Sequence, residues 1–198
     1  MQTTQIIILI IACILAYLIG SIPVGFLLAR AEGVDIRQKG SGSTGATNVT
    51  RILGWKQGVV AGVFDFLKSF LPALIAQRIF HQNWAILIVS LVPVFGHIFP
   101  LWLKFKGGKG VATIFGLLAA YFGVIPFLIF LLFWLAAVKL IRLMSLVNLV
   151  VALFLPVLFW VVFRDLPHLL FGSTLTLIIW WSHRENIRRL LAGEENRL

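Results

Sequence analysis

The chain has 198 residues, 60% of them hydrophobic and 12% charged, with a mean hydropathy of +1.01. A soluble domain carries about a quarter charged residues, so a water-facing surface could not be covered and a soluble globular fold is excluded. The formal charge of +10 would suggest nucleic acid in a soluble protein; here it asks which membrane face the cations occupy, and no nucleic-acid partner is expected.

Seven apolar segments follow one another. Gln5–Ala29 is too long for a signal-peptide core and has no small-residue cleavage site before Arg30, so it reads as a retained helix. It holds the sole cysteine, Cys13, so no disulfide or thiolate metal site is possible within one chain. Gly58–Phe80, Trp84–Trp102, Val111–Tyr121, Val124–Val138, Ser145–Phe163 and Leu166–Trp181 complete the series. Val111–Val138 reads either as one long tilted helix or as two short ones around Phe122-Gly123. Charge decides between them. Seven crossings place fourteen of the 17 Lys and Arg on one side, with Arg78 and Arg164 opposite and Lys68 inside a span. Six would move the Lys139–Arg142 pair and the C-terminal arginines across. The positive-inside rule then puts the N-terminus outside and the C-terminus in the cytoplasm. The expected fold is all-α, a polytopic transmembrane bundle of seven helices forming a single domain over residues 1–198. Val111–Tyr121 and Val124–Val138 fall short of the roughly 20 residues a full crossing needs. Short helices need protein or a water-filled cavity at their ends, which hints at a site at the cytoplasmic end of Val111.

Three polar segments share the cytoplasmic side. Gly40-Ser41-Gly42-Ser43-Thr44-Gly45-Ala46-Thr47-Asn48-Val49-Thr50-Arg51 is rich in glycine and hydroxyls. Its backbone can curl around a phosphate, with Arg51 as a planar fork, or it is a flexible interhelical loop. Lys104-Phe105-Lys106-Gly107-Gly108-Lys109-Gly110-Val111-Ala112-Thr113 leads glycines into a helix start, where unpaired N–H groups and the helix dipole favour an anion. It is not a Walker A loop. Lysines alone would serve to meet acidic lipid heads, but that role needs no glycines around Lys109. In His183-Arg184-Glu185-Asn186-Ile187-Arg188-Arg189, continuing the last helix, His183, Asn186 and one of the two following arginines share a face. An arginine anchor would explain the cations but not His183 or Asn186. Ser145 reads as a helix cap, with Asn148 a turn further in. Within the spans, Asp65 and Lys68 are three apart and positioned to pair; His97 precedes an expected kink at Pro100 and is placed to orient the lysine loop.

Absences narrow the chemistry. Five residues after His81, His97, His168 and His183 stand Ile86, Trp102, Ser173 and Arg188, so no His-x-x-x-x-Asp acyltransferase pair exists. No carboxylate pair on a cytoplasmic loop suits a metal, so neither metal nor cofactor is expected.

Taken together, these motifs resemble the bacterial acyl-phosphate:glycerol-3-phosphate acyltransferase family over nearly the whole chain. The resemblance begins at Gly20-Ser21-Ile22-Pro23-Val24-Gly25 and takes in Gly40–Arg51, Asp65-Phe66-Leu67-Lys68 and Gly96-His97 with Phe99-Pro100. It ends with Lys104–Thr113 and His183–Asn186. It implies acyl transfer from acyl phosphate to the sn-1 hydroxyl of glycerol 3-phosphate, giving lysophosphatidic acid and phosphate as the first acylation of bacterial phospholipid synthesis. The enzyme would sit in the inner membrane with its site on the cytoplasmic face and with lipids as neighbours. Its functional link would be to the enzyme supplying acyl phosphate, with no stable complex inferred. Ser41, Lys109 and His183 are the expected catalytic residues. Gly40, Gly42, Asn48, Arg51, Lys104, Gly107, Gly108, Gly110, Asn148 and Asn186 are the expected substrate-binding residues. The base is either His183 or a substrate phosphate oxygen, and the loops are expected to fold into one pocket. Two rivals remain: an organic-phosphate transporter, which would need a midplane site open to both sides, and an alcohol phosphotransferase, which would need acidic metal ligands.

Overall fold

The structure, a computed structural model, describes residues 3–197; Met1, Gln2 and Leu198 of the expected single domain lie outside the described residues. Among the described residues every regular element is helical. The chain divides into two compact units, one running to Tyr121 and one from Phe122.

The first unit holds α1 (Thr3–Ser21), α2 (Val24–Ala31), α3 (Ala46–Leu53), α4 (Trp55–Ile79), α5 (Asn83–Ile98) and most of α6 (Val111–Phe122). The first apolar segment is two helices because Pro23 has no N–H to continue α1. Helices in lipid gain little hydrophobic drive toward one another, so small residues that let backbones meet do the packing. A Cβ on Gly20 would overlap the Pro93 backbone, and one on Gly96 would reach Ser21 N at 2.9 Å. Ala16, Ala76, Ala85 and Val89 bury with Phe80 where α1, α4 and α5 meet. Ile6, Ile7, Ile10, Ile11 and Ile14 face outward, a surface suited to acyl chains and not to water.

The second unit holds α7 (Val124–Ile141), α8 (Met144–Leu153), α9 (Leu155–Phe163), α10 (Leu166–Ser182) and α11 (Arg184–Leu191). Each of the seven expected apolar segments is helical, and Gly123 (φ 90°) divides the ambiguous stretch in two. Among the described residues, five segments are long and apolar enough to cross a membrane: Thr3–Ala31, Trp55–Ile79, Asn83–Leu103, Val124–Ile141 and Met144–Phe163. Val111–Phe122 and Leu166–Ser182 are shorter apolar helices.

Besides the break at Pro23 in a segment expected to be one helix, three further boundaries differ from expectation. α7 runs past Val138 to Ile141 and is therefore not short; Lys139 complements its C-terminal dipole and Arg142 (φ 60°) ends it. Ser145–Phe163 breaks at Phe154, ahead of Pro156 in the first turn of α9. Pro100 does not kink a continuing helix: α5 stops at Ile98, and Pro100 opens a 3-10 turn over Leu101–Leu103.

Candidate active site

The first glycine-rich loop is organised by one buried side chain. Asn48, 1% exposed on α3, accepts from the Ser41 N–H (2.9 Å) through Oδ1. Its Nδ2 donates to the carbonyls of Ser43 (2.9 Å), Lys39 (3.1 Å) and, at 3.4 Å, Ile36. Gly40 and Gly42 have positive φ (59° and 70°) and make the reversal that this wrapping requires. At the base of the loop, a hydrogen bond from Arg37 holds the Asp35 carboxyl down at about 2. Ser41 and Arg51 are exposed, Arg51 in the last turn of α3.

The second loop folds back on the C-terminal end of α5. The Gly107 N–H donates to the Ile98 carbonyl (3.0 Å) and the Gly108 N–H to the His97 carbonyl (3.1 Å). Both are glycine for reasons of space: a Cβ on Gly107 would overlap the His97 carbonyl, and one on Gly108 would overlap the His97 ring at Nε2. Lys104 and Phe105 enter the turn at φ 52° and 61°, a left-handed conformation costing about 1–3 kcal/mol per residue that persists only where surroundings impose it. The Phe105 N–H to the Pro100 carbonyl (3.0 Å) and the Lys106 N–H to the Leu103 carbonyl (3.2 Å) impose it here. Gly110 (φ 82°) turns the chain into α6, its carbonyl accepting from Ile114 N (2.9 Å) and Thr113 Oγ1 (2.7 Å). With Gly107 and Gly108 committed, the loop presents Lys109 and the first N–H groups of α6, which by helix geometry have no intrahelical acceptor.

Beneath both loops lies a buried ionic cluster. Lys68 Nζ is 2.6 Å from Asp65 Oδ1, the pairing that their spacing predicts, and His97 Nδ1 is 3.4 Å from the same oxygen. All three are below 10% exposed. They line a recess with Ser21, Thr44 and Pro100, so the first loop meets the end of α5 there.

In the second unit His183, 2% exposed, stands at the junction of α10 and α11. Its Nδ1 is 2.9 Å from the Ile179 carbonyl and can only donate to it. In the neutral ring this leaves Nε2 as the basic nitrogen. One turn on, Asn186 Nδ2 donates to Glu195 Oε1 (2.6 Å), as does Ser145 Oγ (2.9 Å), while Arg189 Nε donates to Oε2 (2.8 Å). Burial raises the Glu195 pKa, but the hydrogen bonds from Asn186, Arg189 and Ser145 and the Arg189 charge outweigh it and leave the group below its ordinary 4.5. The chain returns to make this contact because Gly193 (φ 74°) closes α11, with the Glu194 N–H on the Arg189 carbonyl and the Gly193 N–H on the Leu190 carbonyl. Asn148 is buried on α8, its Oδ1 accepting from Trp134 Nε1 of α7 (2.9 Å).

The expected site residues therefore fall in two sets. Gly40, Ser41, Gly42, Asn48, Arg51, Lys104, Gly107, Gly108, Lys109 and Gly110 belong to the first unit, and Asn148, His183 and Asn186 to the second. Of the two arginines offered for the Asn186 face, Arg189 occupies it and Arg188 is exposed. Sequence reading missed Glu195, since an acid near the end of a chain reads as solvated; Gly193 after an apolar helix end was the available signal.

Known proteins resemble this chain over nearly its whole length. The family model described as glycerol-3-phosphate acyltransferase matches residues 10–193. Glycerol-3-phosphate acyltransferases of Aquifex aeolicus and Geobacter metallireducens are 42% and 49% identical, over 93% and 92% of this chain and 96% and 93% of theirs. Two crystal structures of PlsY (YgiH), an integral membrane glycerol 3-phosphate acyltransferase, superpose with TM-scores of 0.89 (glycerol 3-phosphate form) and 0.86 (lysophosphatidic acid form). Each is 40% identical and covers 96% of this chain and 95% of its own. With all but the chain ends matched, and with the loops built as above, the chain belongs to the glycerol-3-phosphate acyltransferase family of integral membrane enzymes.

Proposed function

We propose that this acyltransferase takes its acyl group from acyl phosphate and delivers it to the sn-1 hydroxyl of glycerol 3-phosphate, releasing lysophosphatidic acid and inorganic phosphate. The observation that carries the reading is the second loop. Its glycines are spent on fixing the backbone against α5, which leaves Lys109 and the start of α6 as a rigid seat for a phosphate. A phosphate already joined to the acyl carbon is a good leaving group. Lys109 neutralises the charge growing on it as the carbon–oxygen bond breaks.

The other residues follow from their surroundings. The Ser41 N–H is committed to Asn48, so its hydroxyl addresses the donor's phosphate. Gly40, Gly42, Gly107, Gly108 and Gly110 act by shaping the two loops, and Asn48 and Asn148 by fixing neighbouring backbone and Trp134. Arg51, Lys104, His183 and Asn186 hold glycerol 3-phosphate with its hydroxyl toward the acyl carbon. His183 accepts from the neighbouring sn-2 hydroxyl through Nε2, the nitrogen left basic by the Ile179 carbonyl, and so holds the acceptor while leaving the proton of the attacking hydroxyl to another base. The hydroxyl oxygen bonds to the acyl carbon, the phosphate departs, and the proton passes to a substrate phosphate, whose second pKa near 6 makes it an adequate base at neutral pH.

In the membrane the chain crosses seven times, with its N-terminus outside and its C-terminus and site in the bacterial cytoplasm, where acyl phosphate is supplied by a separate enzyme. The test is a donor panel on the purified chain in detergent: palmitoyl phosphate, palmitoyl-CoA and palmitoyl acyl carrier protein, each with glycerol 3-phosphate. Palmitoyl phosphate alone should give a 1-acyl product. Product from either thioester at a comparable rate would overturn the donor assignment.

A further inference from the structure

The ionic cluster inside the first unit has no part in the chemistry above, yet it is expensive. Charged groups at membrane depth cost several kcal/mol each unless paired, and an apolar cluster of similar volume would serve packing as well. Its placement supplies a reason. Asp65 sits between Lys68 Nζ at 2.6 Å and His97 Nδ1 at 3.4 Å, so the carboxylate faces the Nδ1 edge of the imidazole. The opposite edge of that ring lies against Gly108: the three nearest atoms that a Cβ there would meet all belong to the His97 ring. The backbone of the same residue accepts the Gly108 N–H, and that of Ile98 accepts the Gly107 N–H. Ring and carbonyl together define where Gly108 can lie, and Lys109 is the next residue.

We propose that Asp65, Lys68 and His97 are positioning residues: the Lys68–Asp65 pair orients the His97 ring, and the ring sets Gly108 and with it Lys109 and the start of α6. This rests on the reading of that loop as the donor's phosphate seat. None of the three touches a reacting atom in this scheme. A displacement of about 1 Å at a reacting group costs on the order of a hundredfold in rate, so a loosened ring is felt in turnover.

Two comparisons separate positioning from mere support of α4. Asp65→Asn/Lys68→Met removes both charges of the pair together. If the pair only stabilised the helices, this variant would work as well as the wild type. Positioning predicts that catalytic efficiency (kcat/KM) with palmitoyl phosphate drops about 10–100-fold, with weaker inhibition by inorganic phosphate and an unchanged KM for glycerol 3-phosphate. The second comparison is a cycle of Gly108→Ala, His97→Ala and the double variant. The new methyl's three nearest neighbours are atoms of the His97 ring, so the double variant should be no worse than His97→Ala alone. Losses that multiply would overturn the proposal, as would wild-type kinetics in the charge-free variant. Lys109→Ala is measured alongside. If it is inactive while the charge-free variant is normal, the positioning proposal alone fails; if it is fully active, the reading of the loop fails.

Discussion

Replacing Asn48 by alanine removes the side chain around which the first loop is wound. Four hydrogen bonds go with it, at 2.9, 2.9, 3.1 and 3.4 Å. Each of the three shorter bonds contributes about 1 kcal/mol net, and the longest contributes little. The wound state thus loses about 3 kcal/mol against looser alternatives, or about two decades in population if the loop was only marginally stable. Catalytic efficiency should therefore fall by roughly 10–100-fold, with cleavage after the exposed Lys39 by a lysine-specific protease accelerating in step. Asn48→Asp should lose at least as much. It keeps the acceptor for Ser41 but turns three donor contacts into oxygens facing carbonyls. An Asn48→Ala enzyme within threefold of wild type and equally resistant at Lys39 would refute the claim that this side chain sets the loop.

Three further outcomes follow. Lys109→Ala should lose at least about a hundredfold in kcat, the scale of one transition-state donor, read from initial rates at saturating substrates. His183→Gln should raise the KM for glycerol 3-phosphate while keeping kcat within about tenfold; a kcat loss toward ten-thousandfold, the upper range for a general base, would make His183 the base. Glu195→Gln should lower the thermal stability of the detergent-solubilised chain at neutral pH. Because the folded-state pKa of Glu195 lies below its ordinary 4.5, its contribution is complete above that value and disappears as pH falls through the lowered pKa. Melting curves of wild type and variant should differ from about pH 6 to 8 and converge in acid; a gap independent of pH would contradict the assignment.

The helices were legible in the sequence because lipid imposes a simple demand, long apolar runs, and Gly123 is visible punctuation; the break at Pro23 fell inside a run that reads as one helix. The break at Phe154, ahead of Pro156, was missed as well, because the apolar run continues through it and a proline alone does not end a helix here: Pro72 and Pro93 sit inside α4 and α5. Within the loops, residue types were legible and their partners were not. Glycines around Lys109 read as N–H donors for an anion, whereas the Gly107 and Gly108 donors are spent on α5 and their missing side chains make room for His97. That ring arrives by tertiary packing, which local spacing does not encode. The partners of Asn48 and Asn148, loop backbone and Trp134, come from tertiary packing and could not be read from spacing. The Asp65–Lys68 pair was visible at helical spacing, and its third member, His97, is 29 residues further along the chain from Lys68 on another helix.

The account turns on the loop at Lys109 being a seat for phosphate. Equilibrium binding of radiolabelled inorganic phosphate, the leaving product, to the wild-type and Lys109→Ala chains in detergent measures this without turnover. A seat built as described predicts saturable binding to the wild type, displaced by palmitoyl phosphate and weakened at least tenfold, about 1.4 kcal/mol, by the substitution. Equal binding to both chains would contradict it.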